Sequence, residues 1–370
     1  MKTPKWFKKA IIYQILIDRF AGYKSNNWNK NDFIGGNIKG IIKKLPYIKK
    51  LGVNTIWISP FYKTSAYHGY HITDFFKVEP NFGNLTHVKE LIKKTHEKGM
   101  RIIADFVPNH CSWKHPYFKD AQKNKNSKYK NWFYFKKWPN KYLCFLSFKE
   151  LPKINLDYPP AREHIIKSAK YWLSLGFDGF RLDHVIGPKH KFWREFRKKI
   201  KKDFPEAVLI GEAWIEGIKL SELKTINIKN KFLRFFIKIN YNKLFKEYIK
   251  ELDGVLDFGF QKIIKKHITK KGSIEQEKLN KKLKKHFKKF PKDYFLPTFL
   301  DNHDMNRFLF ECNNNKEKLK KAARIQFSIN QPKIVYYGTE TGMTQERDIK
   351  KNKRKWRLTS KKTYELEQNR

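Results

Sequence analysis

Short apolar runs recur along this chain, each followed by turn residues and an amphipathic stretch. That alternation limits the fold more than any other feature. The runs are Ala10–Ile17, Val53–Ser59, Arg101–Val107, Gly179–Leu182, Ala207–Ile210, Val255–Phe258, Phe295–Leu300 and Lys333–Tyr337. They are short and rich in Ile, Val and Phe, which suits strands covered on both faces, as in a parallel sheet. The stretches between them read as helices. Ile38–Leu51, Val88–Lys98 and Arg162–Leu175 each stop at a glycine (Gly52, Gly99 and Gly176), and His190–Lys202 is charged and amphipathic. About eight such units predict an α/β fold, a closed (β/α)8 TIM barrel rather than an open sheet.

Two intervals break the rhythm. From Pro108 to Pro160 the chain is rich in Trp, Tyr, Phe, Lys and Asn without clean periodicity, which predicts a subdomain inserted after the third strand. Ile215–Leu252 is also long and is expected to carry extra helix. The expected organisation is barrel over 1–106, inserted subdomain over 107–160, barrel again over 161–350, and a polar tail over 351–370. The last twelve residues, Thr359–Arg370, hold little apolar surface, so an eighth helix is poorly supported. An incompletely closed barrel or a shortened chain is expected there.

Composition bears on partners. The 81 Lys and Arg against 35 Asp and Glu give a formal net charge of +46. Such a balance suits an anionic partner. The basic residues are spread along the chain, as in Lys198–Lys202, Lys281–Lys289 and Lys350–Lys355, and no nucleic-acid-binding signature accompanies them. Solvated lysine-rich faces are therefore expected, with no specific nucleic-acid partner. Cys111, Cys144 and Cys312 have no paired spacing, which argues against a disulfide framework or a cysteine metal site. Met1–Lys9 has no apolar run of signal-peptide length and no stretch is long enough to span a membrane, so the expected location is the cytoplasm.

In a barrel of this kind chemistry gathers where strands end and loops begin. Asp105, Asn109 and His110 follow the third run, Arg181 and Asp183 end the fourth, Glu212 ends the fifth, and Asn302, His303 and Asp304 end the seventh. Glycoside hydrolysis needs two carboxyl groups, one to protonate the leaving oxygen and one to attack the sugar or activate water. Asp183, Glu212 and Asp304 supply two and a third. Arg181, two residues from Asp183, projects to the same side of a strand and favours its ionised form. Each residue alone also has a plainer reading. A strand-end Asp is commonly a cap, His303 a satisfied structural histidine, Tyr70 a packed tyrosine, and Asp105 and Asn109 ties for a loop. Their joint placement at successive strand ends favours chemistry.

These segments resemble those of the α-amylase family, glycoside hydrolase family thirteen. Asp105-Phe106-Val107-Pro108-Asn109-His110, Gly179-Phe180-Arg181-Leu182-Asp183, Gly211-Glu212-Ala213-Trp214 and Phe299-Leu300-Asp301-Asn302-His303-Asp304 are similar to its four principal segments, in the same order. Gly52–Pro60, Leu151–Asn155, Tyr336–Gly342 and His68-Gly69-Tyr70 are similar to accessory ones. Leu151–Asn155 and the run from Asp183 through Trp193 resemble neopullulanase- and cyclomaltodextrinase-like members most. Where secreted relatives carry a Lys-His pair, this chain has Ile186 and Gly187.

The resemblance implies a retaining hydrolase of α-glucosidic, mainly α-1,4, bonds in maltodextrins or starch-like α-glucans. Asp183 would be nucleophile, Glu212 acid/base, and Asp304 a binder and distorter of the sugar. Arg181 would orient Asp183. His110 and His303 would hydrogen-bond the sugar and Tyr70 would stack on it, with Asp105 and Asn109 as supports. No cofactor is required by this chemistry. Calcium is a candidate ion, because Asn109 matches a calcium ligand of many relatives. The expected partner is an α-glucan oligosaccharide or polysaccharide, with no membrane involved and no oligomeric state assigned. A glucanotransferase or isomerase on the same scaffold, or a non-catalytic basic barrel acting as an interaction module, are the alternatives. The N-terminal dimerising module and C-terminal β-sandwich of such relatives are expected to be absent.

Overall fold

Seven parallel strands form one sheet in the computed structural model, which describes residues 2–24, 32–216, 218, 220–227, 241–269, 276–346 and 348. They are β1 (Ile11–Ile15), β2 (Thr55–Ile58), β3 (Arg101–Phe106), β4 (Gly179–Leu182), β5 (Val208–Gly211), β6 (Gly254–Val255) and β7 (Lys333–Tyr336). Their spatial order is β6-β5-β4-β3-β2-β1-β7. The gap between β6 and β7 is filled by the segment around 295–298, through parallel bridges Gly254↔Phe295 and Thr298↔Lys333. The strand ring therefore closes with eight members. β1 pairs with β7 from Ile11↔Lys333 to Gln14↔Tyr336, so the expected incomplete closure does not occur among the strands.

Every residue of β2, β4 and β5 is buried, as continuous apolar runs require. Helices at Ile38–Lys50, Leu85–Glu97, Pro159–Ser174 and His190–Asp203 cover the ring. The first buries Ile38, Ile41, Leu45 and Ile48, one stripe at helical spacing, and Asn37 caps it by accepting the Gly40 N–H. The second begins with a reciprocal capping box between Asn84 and His87.

Two strands differ from expectation. The run Val255–Phe258 pairs only at its start, because Asp257 turns the chain into the helix Phe258–Thr269 by accepting the Phe260 N–H at 2.8 Å. The run Phe295–Leu300 pairs through two bridges rather than a ladder. Pro297 has no N–H to give, and the Leu296 N–H goes to the side chain of Gln331 at 2.9 Å.

Between β3 and Pro159 the chain forms the helix Pro116–Lys123 and two small antiparallel pairs. One joins Phe135–Lys137 to Lys141–Tyr142 and the other joins Cys144–Phe145 to Phe148–Pro152. Stacked rings fill this segment, Tyr117 lying 4.0 Å from Tyr129. Ile154 N–H donates to Asn109 O at 3.0 Å and ties it to the barrel. Between β5 and β6 lie a 3-10 turn at Leu220–Thr225 and the helix Tyr241–Lys246; residues 228–240 of that interval are outside the described residues. No helix follows β7 among the described residues, and the basic run Lys350–Lys355 and the tail Thr359–Arg370 lie outside them. No helix among the described residues is long and apolar enough to cross a membrane.

Candidate active site

The C-terminal ends of β3, β4 and β5 bring three carboxyls to one guanidinium. Arg181 and Asp183 share a face of the chain because alternate residues of a strand point the same way. Arg181 is wholly buried. Its Nη1 donates to Asp105 Oδ1 at 2.8 Å and Oδ2 at 3.1 Å, and to Asp183 Oδ1 at 2.8 Å. Its Nη2 pairs with Glu212 Oε1. The Trp57 ring lies 5.4 Å from the guanidinium carbon, and Trp57 Nε1 and Tyr70 OH donate to Asp105 Oδ2 at 3.3 and 2.7 Å.

One positive charge cannot hold three buried carboxyls ionised. Burial pushes Glu212 up to about 8, the nearby charges of Asp183, Asp304 and Asp105 add to the rise, and Arg181 opposes it. Burial likewise pushes Asp105 up to about 6 against Arg181. Arg181 itself is held charged by the carboxylates around it, despite its burial. The set thus stores a proton near neutral pH, and Glu212 is raised further than Asp105.

The Glu212 carboxylate also accepts the backbone N–H of His184 at 3.1 Å. His184 has φ +46, a left-handed conformation uncommon outside glycine. The turn is held by Val185 N–H on Glu212 O at 3.1 Å and Gly187 N–H on His184 O at 2.9 Å. On the other flank Tyr70 stacks on His303, centroids 5.5 Å apart, and its hydroxyl lies 2.7 Å from His303 Nε2. Gln14 Nε2 lies 2.6 Å from His303 Nδ1. An amide N–H only donates, so Nδ1 accepts and the ring's orientation is fixed. His303 Nε2 is 3.1 Å from Asp304 Oδ2, and the Asp304 N–H donates to Asn302 Oδ1 at 2.9 Å.

Asp105, Arg181, Asp183, Glu212, Tyr70, His303 and Asp304 are therefore one connected network. His110 and Asn109 sit beside it rather than in it. Asn109 Nδ2 is 3.3 Å from His110 Nδ1, and burial alone pulls His110 down to about 3. Phe145, on the second small hairpin, packs 4.7 Å from His110 and edge-on 4.6 Å from His184. The segment after β3 thus reaches over the strand ends.

Sequence reasoning assigned no role to Gln14, Trp57, Phe145, Lys153 or His184. Gln14 carried a usable signal, being the one polar residue in the run Ile11–Ile15. Lys153 is buried, donates to Gly187 O at 2.7 Å and Thr225 O at 2.6 Å, and is pulled down to about 8 by burial. Nothing in the local sequence announced the left-handed turn at His184.

Comparison with known proteins identifies the family. The model of the alpha amylase catalytic domain matches residues 14–369. Alpha-amylase 2 of Dictyoglomus thermophilum is 39% identical over 352 residues, 94% of this chain and 58% of that protein. A cyclomaltodextrinase of a Bacillus species is 33% identical, over 92% of this chain and 61% of that protein. The chain thus spans about three-fifths of the length of these curated relatives. The ligand-free cyclic α-maltosyl-(1→6)-maltose hydrolase of Arthrobacter globiformis superposes with a TM-score of 0.81 at 27% identity, covering 94% of this chain and 77% of that one. With the family model matched over most of its length and a closed eight-membered strand ring beneath the matched segments, the chain belongs to the α-amylase family of glycoside hydrolases.

Proposed function

We propose that this chain cleaves α-glucosidic bonds, mainly α-1,4, in maltodextrins or starch-like α-glucans, with retention of configuration. The observation that carries the reading is the single Arg181 guanidinium contacting both Asp183 and Glu212. Two carboxyls on one guanidinium are closely spaced, which favours the separation of roughly 5 Å used by retaining pairs over the wider gap that admits a water.

Asp183 attacks the anomeric carbon as Glu212 gives its proton to the departing glycosidic oxygen. A covalent glycosyl-enzyme forms, with inverted configuration. Glu212, now ionised, takes a proton from water as that water attacks the same carbon. Asp183 leaves and the α configuration returns. The raised Glu212 supports the first step, because a general acid must hold its proton near the working pH. Arg181 supports an ionised Asp183. Asp304 and His303, at the edge of the network, are placed to bind sugar hydroxyls, and Tyr70 offers an aromatic face beside them. The named activities of the two relatives above, a cyclomaltodextrinase and a cyclic maltosyl-maltose hydrolase, support an α-glucan substrate.

The test is proton NMR of fresh maltotriose digests beside product profiles on pullulan and cyclodextrin. The α-anomer of the new reducing end is expected first. β-Anomer first would overturn the retaining mechanism, and products longer than the substrate would favour glycosyl transfer over hydrolysis.

A further inference from the structure

The resemblance to relatives with a calcium ligand at the position of Asn109 raises the question whether the residues present fit that ion. Asn109 Oδ1 is buried and has no hydrogen-bond partner among the described residues. Such an atom suits a ligand. The oxygens near it do not. The carbonyls of Gly187 and Thr225 both accept from Lys153 Nζ. No group of three or more His, Cys, Asp or Glu side chains among the described residues could hold a metal. A calcium ion takes six to eight oxygens, carboxylates among them. Gly187, whose carbonyl holds the Lys153 ammonium, packs against that same Asn109 oxygen, so an ion there would face a buried like charge across one residue. The group does not fit.

We infer that the Lys153 ammonium does the structural work of a divalent cation at this junction, so that the catalytic face is organised without calcium at Asn109. Lys153 follows the hairpin strand Phe148–Pro152 and bridges to His110, the residue after Asn109. Its Nζ joins that hairpin to the loop after β4 at Gly187 and the loop after β5 at Thr225. Asn227 completes the tie, its N–H on Ile186 O and its Nδ2 on Gly187 O, both at 2.6 Å. Gly187 lies so close to Asn109 that a Cβ there would overlap Oδ1 and the His184 ring. Three segments therefore meet on one buried cation, at the turn that follows Asp183 and His184. The inference does not depend on which glycosidic bond is cleaved.

The experiment is thermal unfolding of the full chain in EDTA and in calcium chloride, for the unaltered protein and for Lys153→Met, Lys153→Asp and Asn109→Ala. Lys153→Met is expected to melt roughly 5 °C lower in both media, with no rescue by calcium. Lys153→Asp, which replaces the ammonium by a carboxylate and releases two carbonyls, is expected to gain a saturable calcium-dependent rise in its midpoint that the unaltered chain lacks. A Lys153→Met chain as stable as the unaltered one would overturn the inference. So would a calcium-dependent rise in the unaltered chain that Asn109→Ala abolishes. If Lys153→Met yields no folded protein, the Asn109→Ala comparison decides alone.

Discussion

At the scale of single residues the site is governed by a shortage of positive charge. Arg181 faces Asp105, Asp183 and Glu212, and the proton this leaves behind sits at Glu212, pushed up to about 8. Above that pH the acid is lost, so kcat/KM on maltodextrin is expected to fall about tenfold per pH unit beyond pH 8. With α-glucosyl fluoride, whose leaving group needs no proton, the alkaline limb is expected to flatten; a limb equally steep for both substrates would remove Glu212 from the acid role. The same shift has a stability consequence. The folded value lies above the ordinary 4.5, so the folded chain holds a proton that the unfolded one has released. Stability from this group is complete below about pH 4.5, declines through neutrality, and levels off above about 8. Asp183→Asn removes the proposed nucleophile but also one negative charge from a crowded pocket. We expect kcat to drop by about 10⁴ or more while the melting temperature holds or rises, as followed by reducing-sugar assay and calorimetry. These carboxyls were legible because each ends an apolar run and so falls at a strand end. His184 was not, since a histidine after a strand reads as an ordinary turn residue and its left-handed backbone leaves no mark on the sequence. Lys153 was hidden by abundance, one basic residue among 81.

At the scale of elements, the helices were legible wherever capping and periodicity agreed. Asn84 and His87 satisfy each other's neighbouring N–H groups at the start of Leu85–Glu97, and neither contacts the carboxyl network in any hydrogen bond described above. Asn84→Ala is therefore expected to cost about 1 kcal/mol in urea unfolding with kcat/KM unchanged. A change in activity would mean that this helix communicates with the site. The sixth and seventh strands were misjudged in length for physical reasons. Asp257 is both the end of one strand and the cap of a helix, and Pro297 removes a donor from the other. The segment after β3 gave no periodicity because aromatic stacking, as between Tyr117 and Tyr129, organises it more than any regular ladder.

For the whole molecule, the charge of +46 is an averaged property with no built recognition surface behind it in the sequence. Binding to random duplex DNA is expected at low ionic strength and is expected to vanish at high ionic strength, by counterion release. A mobility shift that persists in high salt would instead indicate a dedicated nucleic-acid site. Closure of the strand ring also sets when the site can exist. Gln14, from β1, orients His303, which is 289 residues away in the chain. That strand finds its second neighbour only when Lys333–Tyr336 arrives to pair with it. A nascent chain still on the ribosome short of that point holds nearly every side chain of the candidate site but lacks the closed ring that sets their positions. It also presents a bare β1 edge to its neighbours, a template for aggregation. Synthesis of this protein is therefore expected to yield no partly active precursor, with the interval before the last strand docks as its most vulnerable moment.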